Sequence, residues 1–169
     1  EIFEDLLPRV ELNVEIKPAG RPIVEALAKL MKTHPLREKI IVSCFHEATC
    51  AQLATEHKDI RTALLWDRSL WWPGALQLGP IRFMNKHGIR IFHPDARLVT
   101  LSMVKAIKKL GWEIFPYISL RRETEKEKLW SYLMTVGVDG LCTNYPGQLK
   151  LWLQEAKDDE ERFRNKGRL

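Results

Sequence analysis

The sequence predicts an α/β fold, a (β/α)8 barrel of the TIM type represented by about six of its eight βα units. Three observations predict it. Apolar runs of strand length alternate with segments of helical period along the chain, the pattern of βαβ crossovers on a parallel sheet. Prolines and glycines fall where those helices should begin and end. The 169 residues, divided among six units, give about 28 residues each, so two further units would approach the roughly 250 residues of a complete barrel. The chain therefore reads as part of something longer.

The chain opens in what looks like the end of an amphipathic helix, marked by Ile2, Phe3, Leu6 and Leu7. A strand over 10–17 follows from strict alternation, and Pro22 sits at the first-turn position of a helix over 23–32. The run KIIVSCF predicts a strand over 39–45, with a helix over 47–56 behind it. Strands over 62–66, 89–93, 112–118 and 138–143 complete the set, and short or regular helices over 80–86, 101–110 and 125–135 separate them. Gly88, Gly111 and Gly137 follow helices where left-handed caps are expected. A last helix over 147–163 should dock through Trp152 and through Leu149 or Leu151. The expected division is thus a partial barrel over 1–154 and a charged helix end or tail over 155–169.

Composition excludes several classes. With 45% hydrophobic and 29% charged residues the chain is neither disordered nor collagen-like. No apolar run reaches the roughly 20 residues of a membrane span. The net charge of +5 suits an anionic small-molecule substrate, but acids are interspersed with the bases, which argues against nucleic acid. The three cysteines, Cys44, Cys50 and Cys142, are too few for a disulfide framework, so free thiols and a reducing, cytoplasmic compartment are expected. Residues 67–80 break the rhythm: a loop with Trp71 and Trp72 follows a strand, where barrels place their functional face. It could cover a ligand or pack over a helix end.

The most informative segment is Glu11-Leu12-Asn13-Val14-Glu15-Ile16-Lys17. Alternation puts the three apolar residues on one face and the four polar ones on the other. Against the helices go the apolar side chains, and into the lumen go Glu15 and Lys17, at the strand's C-terminal end where ligands bind in α/β sheets. Glu15 is then a ligand for a hard cation and Lys17 a phosphate contact. A solvent-facing strand with a local ion pair explains the same alternation equally well.

Beyond alternation, the run LPRVELNVEIKP resembles the glycerophosphodiester phosphodiesterase family, whose third barrel strand carries N-[IV]-E-I-K. IIVSCFHEATCAQL, RTALLW, HPDARLVTLSMVKAIKKLGWEIFPY and GVDGLCTNYPGQL resemble the family's later strands in order. The resemblance implies a metal-dependent hydrolysis of glycerophosphodiesters to glycerol 3-phosphate and an alcohol, with Mg2+ or Ca2+ as cofactor. It implies that Glu15 holds the metal, that Lys17 binds substrate, and that Tyr117 forms an aromatic wall beside it. Departures accompany the match. Ile118 and Leu120 replace a Thr and an Asn, Asn144 stands where Asp is usual, and Cys44 replaces a Ser. The family's catalytic histidine pair and its Glu-x-Asp metal pair would lie upstream of this chain, which alone should be inactive. A non-catalytic barrel remnant and a phosphoinositide phospholipase relative are the alternatives.

Other polar residues have duller accounts. His46 and Cys50 imitate a metalloprotease helix motif but lack a third ligand. His93, at the end of a strand, could touch substrate or move a proton; a neutral ring hydrogen-bonded to backbone is the competing reading. His34, His57 and His87 read as surface residues, and Arg121, Arg122 and Lys126 as a solvated mixed-charge face.

Overall fold

The computed structural model describes residues 2–67, 78–118 and 126–166, and within them the alternating pattern is realised almost element for element. A short helix α1 (Ile2–Leu6) precedes β1 (Leu12–Ile16), α2 (Arg21–Lys32), β2 (Ile40–Cys44), α3 (Glu47–Glu56) and β3 (Arg61–Trp66). Then come α4 (Leu78–His87), β4 (Ile91–Pro94), α5 (Leu101–Lys109), β5 (Glu113–Ile114), α6 (Lys126–Val136) and α7 (Pro146–Lys166). Trp71, Trp72, Leu120, Arg121 and Arg122 lie outside the described residues.

The five strands form one sheet in the order β1-β2-β3-β4-β5, every pair parallel. Strand order that never reverses, with helices on one face, is the winding of a barrel rather than of a doubly wound sheet. The packing shows it. A large apolar cluster joins Ile16, Val42, Leu64, Phe92 and Ile114 of the strands to Val24, Leu53, Met84, Ile107 and Leu133 of the helices. The alternate strand positions form a separate small cluster of Ile41, Ala63 and Ile91 with Phe115 against them, and no helix contributes to it. That second face is the lumen, and the whole is a partial α/β barrel of the TIM type. Each fully buried large side chain of the outer cluster contributes about 1.5–3 kcal/mol of transfer free energy.

Two expected strands are shorter than predicted. The run 112–118 is hydrogen-bonded as a regular strand only at β5, because Pro116 has no N–H to give the ladder; Tyr117 rejoins the sheet by a bridge to Asp95. The expected strand over 138–143 is reduced to a bridge between Tyr117 and Cys142. Its start is held differently: the Asp139 carboxylate accepts from the Ile114 amide at 2.8 Å and pairs with Lys108. Beside it, Gly140 lets Phe115 approach so closely that an added Cβ would meet its ring at 3.1 Å.

The helix punctuation is as expected, with Pro22 in the first turn of α2 and positive φ at Gly88, Gly111 and Gly137. Three surface assignments need correction. His34, His57 and His87 are partly buried, because each ends or follows a helix that packs on the sheet. Leu151 is 61% exposed; α7 docks through Leu149 and through Trp152, whose ring lies 5.9 Å from that of Trp130.

Candidate active site

The chemistry of the site begins with the parity of β1. Glu15 pairs in register with Ser43, which pairs with Ala63, which pairs with Ile91. Ala63 and Ile91 belong to the inner cluster, so Glu15 faces the lumen, on the edge strand and near its C-terminal end. It is exposed because β1 has no neighbour on its other side among the described residues. No ion pair joins it to Lys17.

Lys17 begins the loop after β1, and that loop is tied twice to the start of α3. His46 Nε2 donates to the Lys17 carbonyl at 3.1 Å, and the Gly20 amide donates to Thr49 Oγ1 at 3.2 Å. The metalloprotease-like pair is thereby dissolved: His46 is an anchor for the loop, while buried Cys50 directs its thiol to the Ala63 carbonyl at 3.6 Å.

Across the mouth stands Tyr117. Its backbone bridges Asp95 on one side and Cys142 on the other, and its ring meets Phe45 edge-on with centroids 5.8 Å apart. Burial raises its phenol pKa well above the usual range, and Asp67, Asp95 and Glu15 push it further while Arg97 opposes them. Burial, then the Glu15 charge, raises the Cys142 thiol as well; burial raises Cys44, where a hydrogen bond to His46 opposes and Glu15 adds a little. Glu15 is thus felt from β2, from Tyr117 and from the Cys142 segment, all around one opening.

His93 lies on the lumen face of β4, in register with Leu65. It is 4% exposed, and burial pushes its pKa down to about 4, so the ring is neutral at pH 7. The expected backbone hydrogen bond is not made at Nε2, which has no partner among the described residues, nor has the hydroxyl of buried Ser43 on the same face. The His93 ring packs on Phe115 at 5.7 Å instead.

Three rim residues escaped the sequence reading: Asp67, Asp95 and Arg97. Asp67 immediately follows β3, and Asp95 immediately follows β4. Asp95 is buried, caps a short 3-10 turn through the Arg97 amide at 2.9 Å, and accepts the Arg97 guanidinium at 2.9 and 3.0 Å. Their position just past strand ends was the available signal.

Among the described residues, the three groups able to converge on one metal ion are Glu25, Glu56 and His57, whose ligand atoms lie within 4.8 Å of one another. They sit on the outer helices, where Arg21 pairs with both carboxylates, away from the mouth. Glu15 is a hard oxygen donor of the type Mg2+ or Ca2+ prefers, but alone it supplies one of the several ligands such an ion takes.

The sequence pattern of the Glycerophosphoryl diester phosphodiesterase family matches residues 5–148. A glycerophosphodiester phosphodiesterase of Caldanaerobacter subterraneus subsp. tengcongensis is 25% identical over 156 residues, which are 88% of this chain and 58% of that protein. The chain therefore spans about three fifths of the curated relative it matches. A solved candidate glycerophosphodiester phosphodiesterase from Galdieria sulphuraria superposes with a TM-score of 0.77 at 18% identity, over 90% of this chain and 62% of that one. An Oleispira antarctica phosphodiesterase in complex with the product sn-glycerol-3-phosphate gives 0.66 at 17% identity, over 85% and 55%.

Proposed function

The chain belongs to the glycerophosphoryl diester phosphodiesterase family, and from that premise we propose that it forms part of the active site of an enzyme that hydrolyses glycerophosphodiesters to glycerol 3-phosphate and an alcohol. The observation that carries the proposal is the placement of Glu15 and Lys17. Glu15 lies on the inward-turned face of β1 near its C-terminal end, Lys17 begins the loop that follows, and the Glu15 charge adds to the raised pKa of Tyr117 and Cys142.

In this reading Lys17 neutralises a phosphate oxygen from a loop that His46 and Thr49 hold still. Tyr117, a phenol that stays protonated at neutral pH, offers a wall and a donor. His93 lies below the rim, neutral, able to accept or donate one hydrogen bond without bringing charge. A divalent cation, Mg2+ or Ca2+, held in part by Glu15, would neutralise the phosphodiester and polarise its ester bond. The remaining ligands and the general base come from outside these residues.

The test is Glu15→Gln, made in the polypeptide that carries the whole barrel and assayed on glycerophosphocholine. The expected outcome is loss of turnover with retained folding. Unchanged turnover overturns the assignment.

A further inference from the structure

At the end of the sheet opposite to Glu15 lies a cavity of about 810 Å3, between the C-terminal ends of α3 and α4 and the first residues of β3 and β4. That is within the size range of small-molecule sites. The charges on its walls are unbalanced. Arg61 is answered by Glu11 at 3.5 Å and Glu113 at 3.7 Å, and Asp59 by Arg37 at 3.8 Å. Lys58, Lys86 and Arg90 also line it, and none of them has an acidic partner among the described residues. The negative end of a helix accounts for a cation in its last turn, and Lys86 in α4 is of that kind. Arg90 belongs to no helix and stands just before β4. Lys58 comes from the separate turn after α3. Three exposed like charges from three segments line one concave space, where their summed field favours an anion.

We propose that this cavity binds a phosphate-bearing anion through Lys58, Lys86 and Arg90, with the Asn85 amide as a neutral donor on the same wall. Arg90 offers a planar fork suited to two phosphate oxygens, and the lysines offer point charges. The site is independent of the phosphodiesterase reading, because it shares no residue with the Glu15 mouth. The same chemistry could come from a soluble phosphate compound or from a lipid headgroup, and two probes separate them.

Inorganic pyrophosphate is titrated into the protein by calorimetry at low salt. In parallel, the protein is sedimented with phosphatidylcholine vesicles with and without phosphatidic acid. Binding of pyrophosphate identifies a soluble anion; retention on phosphatidic acid vesicles alone identifies a headgroup. In either case Lys86→Glu combined with Arg90→Glu should weaken binding by at least about tenfold, consistent with the loss of charge-assisted contacts. Lys58→Ala, on a different segment, should weaken it severalfold and serves as the measurement should the double variant fail to fold. Binding of neither probe, or binding that both variants leave unchanged, overturns the proposal.

Discussion

The two faces of the same five strands do different work. Outward, Ile16, Val42, Leu64, Phe92 and Ile114 meet the helices in one continuous apolar cluster. Inward, a small plug of Ile41, Ala63, Ile91 and Phe115 is bordered by Ser43, His93 and Asp95, which are buried yet polar. The contrast is sharpest along β4 and just past its end, where Phe92, His93 and Asp95 fall in turn into an apolar core, a polar lumen and a charged rim. The outer face accumulates stability, whereas the inner face gives some of it up by burying groups that water would rather solvate.

The largest test of this division is Phe92→Ala. Phe92 is fully buried, with Trp66 6.0 Å away, and truncation of such a side chain costs about 3–5 kcal/mol. Denaturant unfolding at neutral pH measures it. A loss below about 1 kcal/mol would mean that the outer cluster is not the stabilising face.

His93 supplies the next test, from the inner face. Burial lowers its pKa from 6.5 to about 4, so between those values the unfolded chain takes up a proton that the folded chain refuses. Stability contributed by the neutral ring is therefore complete above pH 6.5 and is lost as pH falls toward 4, by on the order of 3 kcal/mol at the lower end. The measurement is the unfolding free energy at pH 7 and at pH 4.5, for the protein and for His93→Gln. The variant should lose this part of the pH dependence. Equal slopes would place the ring in contact with water.

How much of this the sequence disclosed divides along the same line. The outer face was legible because burial against helices imposes period, and the run from Leu12 to Ile16 alternates without exception. Glu15 stood out for the complementary reason, as a charged residue on the strand face turned toward the lumen. What was not legible depended on contacts distant in sequence. Asp139 looks like one letter of a family signature, but it replaces a ladder hydrogen bond to Ile114, 25 residues away. His46 looks like a metal ligand in a helix motif, but its partner is a carbonyl 29 residues earlier. Asp95 and Arg97 are separated by one residue, and nothing local says that the pair turns toward Tyr117 rather than toward water.

The smallest test concerns that pair. Asp95→Asn preserves the cap on the 3-10 turn, since Asn accepts the same amide, and removes only the charge opposite Arg97. With the Arg97 side chain 45% exposed, the cost should be modest, about 1 kcal/mol after allowance for screening. The informative readout is electrostatic. Asp95 is one of the carboxylates that raise the Tyr117 phenol, and Arg97 is the cation that opposes them. Losing the carboxylate while the guanidinium stays must therefore lower the Tyr117 pKa, which ultraviolet titration of the protein against Tyr117→Phe isolates. An unchanged titration would mean that the Asp95 charge does not reach the phenol, and the rim would then be two separate features rather than one electrostatic site.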